Sequence, residues 1–195
     1  MRGAYYGRRG KRETRTVSLP DGDFTCRLDL FDVERDRFPY RDGRFELVLA
    51  SEIIEHMIYD PMHTLVESRR VLAEGGHLLV STPNAASYAV LAKVLDGRTN
   101  PKIFPQYKRP DRGEPEIGHM HEYTAHELGL AIQAAGFEIE RLFTTPMEEY
   151  NAHHALVKLL EANGYSTEDR GEQTWCLAVK RGALPVDRYP EFLYF

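Results

Sequence analysis

An open α/β sheet with helices on both faces, preceded by an N-terminal β-hairpin, is the fold this sequence predicts, and three observations carry it. Short apolar runs alternate with helical segments through the middle of the chain. Phe45–Ala50 and His77–Ser81 are nearly unbroken, as strands buried on both faces of a parallel sheet are. Capping residues open the helical segments and glycines close them, and such alternation favours strands joined by crossover helices. At 195 residues, against roughly 150 per domain, the chain is expected to form one domain over 1–195.

The elements follow in order. Glu13–Leu19 and Phe24–Phe31 alternate in side-chain character, and Pro20-Asp21-Gly22-Asp23 between them suits a tight reversal. Asp60-Pro61 opens a helix with a capping carboxylate and a proline in the first turn, where its missing N–H costs nothing. Met62, Leu65, Val66, Arg69 and Leu72 form its inner stripe, and Gly75-Gly76 is expected to end it. Asn84 is read as the cap of the next helix, with Tyr88, Leu91, Val94 and Leu95 inward and Gly97 as its stop. Residues 98–118 are rich in Pro, Lys, Arg and Gly, and their length suggests a lid over a site or a mobile loop. Thr124-Ala125-His126-Glu127 is a capping box, and its helix closes at Gly136. Phe137–Thr144 is a strand, Asn151–Asn163 a helix with Leu156, Leu159 and Leu160 as its stripe, and Thr174–Lys180 the last strand. The two late strands need not run parallel to the rest.

Composition narrows the class. With 42% apolar and 28% charged residues the chain can bury a proper core. No run approaches the roughly 20 apolar residues that cross a bilayer, and no apolar leader opens the chain, so a cytoplasmic protein without a membrane is expected. Cys26 and Cys176 form no ligand ladder. The net charge of −5 is uneven: Arg2, Arg8, Arg9, Lys11, Arg12 and Arg15 face Glu13 alone within residues 1–16. The arm over 1–12 reads first as a solvated terminus; phosphate or nucleic-acid binding is the alternative, with no motif elsewhere to support it.

Four stretches then carry a resemblance. Asp32-Val33-Glu34 with Phe38–Val48, Ser51–Met57, Arg70–Asn84, and His121–Thr124 followed by Ala134-Ala135-Gly136-Phe137 occur in order. Together they resemble the class I S-adenosylmethionine-dependent methyltransferases, of the methyltransferase type 11-like kind, over about residues 24–145. The resemblance implies a Rossmann-like methyltransferase sheet with S-adenosylmethionine across the carboxyl ends of its strands. On it, Asp32 would accept from the adenine amino group and Val33 would lie beside the ring. Ala50, Ser51 and Glu52 would lie near the methionine and sulfonium end. His56, His121 and Tyr123 are catalytic candidates by residue type.

Plainer readings stand beside these. Asp32 can bond its own backbone in a turn, Ser51 can cap the following helix, and His56 can be a structural histidine. His119, His121 and Glu122 lack a third ligand at helical spacing, so no metal site is expected.

The family's glycine-rich turn after its first strand, and the acidic residue ending its second, are not found. Before residue 24 the glycines are Gly3, Gly7, Gly10 and Gly22. The expectation is a sheet that is N-terminally incomplete, without its first strand, first helix and most of its second strand, and a truncated or degenerate cofactor site with weak binding. The hairpin would then slide to pair with 45–50, or a second copy or another chain would fill the gap, or the chain is a shortened product. A small-molecule methyltransferase is expected; Lys102, Lys108, Arg109 and Arg112 point to an anionic or sugar-like acceptor or to plain surface charge. The alternative is a catalytically inactive methyltransferase-like subunit acting through protein contacts, suggested by the aromatic tail Arg188–Phe195, which otherwise straps back on its own domain.

Overall fold

In the computed structural model, residues 9–97, 118–147, 154–183 and 188–194 are described. Strands β1 (Arg12–Leu19) and β2 (Gly22–Asp29) form an antiparallel hairpin in full register from Arg12 opposite Asp29 to Leu19 opposite Gly22. Gly22 adopts φ +127°, which a side chain would resist. Thr16 and Thr25 join their hydroxyls across the pair at 2.9 Å. The hairpin is a sheet of its own and does not pair with the strand at 45–51.

The main sheet has four strands: β3 (Phe45–Ser51), β4 (Leu72–Pro83), β5 (Phe137–Thr145) and β6 (Gln173–Lys180), in the order β3-β4-β6-β5. β3 runs parallel to β4, whereas β6 is antiparallel to both β4 and β5. Three further helices join α1 (Pro61–Val71): α2 (Tyr88–Leu95), α3 (Ala125–Ala134) and α4 (His154–Ala162). Met62, Leu65, Leu72, Leu78, Val80, Leu128, Ala131, Ile132, Cys176 and Ala178 are buried together where α1 and α3 meet the sheet. This is the mixed α/β architecture that the alternation of elements predicts.

Four local readings are corrected. α1 ends at Val71, four residues before Gly75, because Leu72 turns extended and begins β4. Gly75-Gly76 lies inside that strand, and a side chain at Gly76 would meet the Ala73 carbonyl oxygen at 2.9 Å. Ser87 caps α2, its hydroxyl accepting from the Val90 amide; Asn84 instead bonds the Ala86 amide and the carbonyls of Asp169 and Gly171. Val94 and Leu95 of α2 are exposed, as is Leu159 of α4. β3 is not sandwiched on both faces: Leu47 and Leu49 are 58% and 60% exposed, on the face opposite Val48 and Ala50, which pack against the core.

β2 begins at Gly22, two residues before Phe24, and ends at Asp29, two before Phe31, because Leu19 already pairs with Gly22; other boundaries agree with the pattern. Asp60 Oδ1 accepts from the His63 amide at 3.1 Å, and Pro61 begins α1. Thr124 and Glu127 make the reciprocal capping box, each side chain accepting from the other residue's amide. Arg69, its stem buried, donates from Nε to the Gly136 carbonyl at 3.0 Å and from a terminal nitrogen to the Gly182 carbonyl, so it ties α1 to the far end of the sheet.

The tail folds back on the chain itself. Phe192, Leu193 and Tyr194 pack against the core, and the Tyr194 hydroxyl donates to Asp60 Oδ1 at 2.6 Å. Phe192 and Tyr194 thus cover this chain's own core, as the strap reading expects, and the subunit acting through protein contacts is not favoured. Of the basic arm, Arg9 pairs with Asp36 and Arg12 with Asp29. Residues 1–8 of the arm, residues 98–117 of the loop read as a lid over 98–118, and the start of the helix read from Asn151 lie outside the described residues. Among the described residues no helix is long and apolar enough to cross a membrane.

Two expectations follow. Gly171 approaches Thr145 so closely that an added Cβ would lie 2.6 Å from its backbone. Gly171→Ala should therefore cost about 1–3 kcal/mol and lower Tm by several degrees in a thermal melt. Arg70 bonds both oxygens of Glu67 and one of Asp42, and holds both carboxyls below their usual range. A carboxyl depressed in the folded state stabilises fully above its ordinary value, 4.5 for Glu67, and loses that contribution as pH falls through the lower folded value. Glu67→Gln should flatten the acid limb of the stability curve below about pH 4.5, measured by urea titration at successive pH values.

Candidate active site

The carboxyl ends of β3 and β4 lie side by side because the two strands are parallel, with Ser51 opposite Ser81. In open α/β sheets this is the end at which ligands bind. Ser51 and Ser81 join hydroxyls at 2.7 Å. Ser81 also donates to Glu52 Oε1 at 3.0 Å, and Gln173, at the start of β6, donates to the same oxygen from Nε2. Glu52 has φ +52°, a left-handed backbone that L-residues avoid and that gathers at functional sites when neighbours hold it. Its amide donates to the Ser81 carbonyl at 3.0 Å, which fixes that conformation. Ser51 thus spends its hydroxyl on Ser81, and the following 3₁₀ turn Ile54–His56 has no side-chain cap. Ala50 is buried just before it.

Asp32 and Val33 lie in the loop after β2. Asp32 is buried; its Oδ1 accepts from the Glu34 amide at 3.0 Å, and its own amide donates to Asp36 Oδ2 at 2.8 Å. The plain reading of Asp32, a carboxylate bonding its own turn, describes these contacts. Val33 packs against the core, and its carbonyl accepts from Thr64 Oγ1 at 2.7 Å.

Glu34 is a residue that the pattern did not single out. Its Oε1 accepts from the amides of Ile58 and Tyr59, each at 2.6 Å, and of Asp60 at 3.3 Å. One carboxylate oxygen thus gathers the turn that leads into α1. The only signal in the sequence was its place beside Asp32, which does not announce a partner 24 residues away.

The catalytic candidates lie on two segments that Glu55 joins, His56 on the turn after β3 and His121 and Tyr123 on the stretch before α3. Glu55, fully buried, places Oε2 as acceptor of the Thr82 hydroxyl at 3.0 Å, while its backbone carbonyl accepts from the Met120 and His121 amides. Burial raises the Glu55 carboxyl above its usual range, and the nearby Glu52 carboxylate adds to the rise. His56 keeps 38% of its side chain exposed, and its Nδ1–H donates to the Gly118 carbonyl at 3.2 Å. His121 has its Nε2 buried without a partner, and its ring meets Tyr123 edge-on at 4.5 Å. Tyr123 is 1% exposed, and burial pushes its phenol well above the usual value, so the phenol holds its proton at neutral pH.

S-adenosylmethionine combines an adenine, a ribose, a cationic sulfonium and an amino-acid group. The donor set fits two of these. A buried carboxylate at Asp32 beside apolar Val33 suits an adenine edge, and the Glu52 carboxylate among Ser51, Ser81 and Gln173 suits a cation. No glycine-rich strand-to-helix turn flanks β3 among the described residues.

The sequence matches the methyltransferase domain family over residues 17–142. A protein of Mycolicibacterium smegmatis described as a probable S-adenosylmethionine-dependent methyltransferase is 31% identical over 114 residues. That stretch covers 58% of this chain and 37% of the relative, so the chain spans little more than a third of the relative's length. Among solved structures, a methyltransferase of Thermotoga maritima superposes with a TM-score of 0.49 at 17% identity, covering 74% of this chain and 60% of its own. One from Methanosarcina mazei gives 0.48 at 17% identity, with 73% and 62% covered.

Because three amides share one Glu34 oxygen, Glu34→Ala should cost about 1–3 kcal/mol. The check is hydrogen exchange at Ile58 and Tyr59, which should quicken roughly tenfold or more relative to the β4 amides.

Proposed function

Since the chain belongs to the class I S-adenosylmethionine-dependent methyltransferase family, we propose that it carries the donor-binding end of a methyltransferase acting on a small-molecule acceptor. The observation that supports this reading most is the polar convergence at the ends of β3 and β4. There the left-handed Glu52 holds its carboxylate between Ser81 and Gln173. Asp32 and Val33 would hold the adenine; Ala50, Ser51 and Glu52 would line the methionine and sulfonium end. When bound, S-adenosylmethionine offers an electrophilic methyl group, and alignment of the acceptor behind the carbon–sulfur bond accounts for much of the rate.

The chain's own residues then have distinct tasks. Glu52 sets a negative charge beside the site of a cation. His56, half exposed and with its Nδ1 proton committed to Gly118, presents a lone pair on Nε2 able to take a proton from a hydroxyl acceptor. Tyr123 keeps its phenol protonated and serves as a donor rather than a base. His121 orients against it. Lys102, Lys108, Arg109 and Arg112 favour an anionic or sugar-like acceptor. A strand from a second copy or another chain would pair with the backbone N–H and C=O groups of the β3 edge.

Calorimetry with S-adenosylmethionine tests the reading. Binding at sub-millimolar concentration is expected, and Asp32→Ala should weaken it about tenfold, the loss of a hydrogen bond to a charged acceptor. No heat at millimolar ligand from the folded chain would remove the proposal.

A further inference from the structure

Glu55, His56 and His119 each bring one ligand atom to a common point, all within 4.8 Å of one another. Glu55 comes from the turn after β3, and His119 from the segment that precedes α3, so the fold and not local spacing makes the group. Three features separate it from chance proximity. Glu55 is fully buried, its Oε2 holds the Thr82 hydroxyl, and its Oε1 has no hydrogen-bond partner. A buried carboxylate oxygen left unpaired is costly, and a cation is one of the few groups that relieve it. His56 Nε2 lies 3.6 Å from that oxygen.

Both rings are already set for ligation. A carbonyl can only accept, so the bond from His56 Nδ1 to Gly118 places the proton on Nδ1 and leaves a lone pair on Nε2. His119 Nδ1 lies 2.6 Å from Glu122 Oε1, a carboxylate that likewise takes the Nδ1 proton. Metal-binding histidines usually donate their second nitrogen to a carboxylate or a carbonyl in this way, which fixes the tautomer and the ring. The two rings meet edge-on with centroids 4.9 Å apart.

We propose that Glu55, His56 and His119 form a binding site for a divalent transition-metal cation of the Zn²⁺ class, with Glu122 and the Gly118 carbonyl as the groups that orient the two imidazoles. Two imidazoles and one carboxylate suit borderline cations, and three protein ligands leave a position for water or an oxygen ligand. Bonds of about 2.0–2.1 Å bring ligand atoms to roughly 3.3 Å from one another, so the cluster closes by an ångström or so on binding. The exposed side of His56 gives the open position its access. His56 is shared with the proposed methyl transfer, and its Nε2 lone pair serves either the cation or the acceptor's proton. Glu55 and His119 differ from the residues assigned to the methyl donor, so cation binding is measured whether or not the donor binds.

The experiment is a calorimetric titration of the chelator-stripped chain with Zn²⁺ alone, with metal content measured after gel filtration. One Zn²⁺ per chain at micromolar or tighter affinity is expected. His56→Ala and His119→Ala should each weaken binding at least tenfold. Glu122→Gln should weaken it roughly tenfold through the ring of His119. His77→Ala, at an exposed histidine of β4 that pairs with Glu140, should leave it unchanged. Circular dichroism confirms that each variant is folded; if Glu55→Gln fails to fold, the two histidine variants carry the test. Absence of one-to-one binding at about 100 μM Zn²⁺, or binding that survives loss of both His56 and His119, overturns the proposal.

Discussion

The parallel register of β3 and β4 is the constraint on which the site depends. It sets Ser51 opposite Ser81 and so brings the two strand ends level. Parallel strands cannot be joined by a hairpin; the chain must cross over, and α1 is that crossover. Its start is secured twice, by the Asp60 carboxylate on the His63 amide and by the Tyr194 hydroxyl on the same carboxylate. Its end is secured by Arg69 and by the immediate turn into β4 at Leu72. A slip of one residue between β3 and β4 would turn Ser51 away from Ser81 and leave Glu52 without its donors.

Glu55 carries that order one step further. Its side chain is held by Thr82, the residue after Ser81, and its backbone carbonyl receives the amides of Met120 and His121. A residue one turn beyond β3 therefore docks the segment that leads into α3. The capping box at Thr124 and the bridge between Asn84 and Tyr123 complete the attachment. Most polar groups at this end are satisfied by one another; the buried exceptions among the described residues are Glu55 Oε1 and His121 Nε2, on the facing parts of the same joint, and Thr174 Oγ1, on β6 opposite Thr82. Unpaired atoms confined to one place mark a site better than a scatter of them would.

Much of this was legible in residues whose signals are local. The Pro20–Asp23 reversal, the Asp60-Pro61 start and the Thr124–Glu127 box each need only three or four neighbours, and each stands as read. Errors arose where distant contacts decide. Gly75-Gly76 looks like a helix stop, yet pairing with β3 and β6 draws the chain into a strand from Leu72. Asn84 looks like a cap, yet the carbonyls of Asp169 and Gly171 claim its amide. The apolar run at 45–50 reads as doubly buried because composition reports what a strand can bury, not which neighbours it has. Among the site residues, Ser51 and Glu52 were found through a family likeness, while Glu34, Ser81, Gln173 and the meeting of Glu55 with His119 arise from the fold.

The central proposal is that the carboxyl ends of β3 and β4 form a ligand-binding end of this chain. Amide chemical-shift mapping during a titration with S-adenosylhomocysteine tests it most directly. The account predicts the largest shifts at Asp32–Glu34, Ala50–Ile53 and Ser81–Asn84, with the β1–β2 hairpin unmoved. Shifts centred instead on the cleft that Arg9, Arg12, Asp36 and Pro39 line would contradict it.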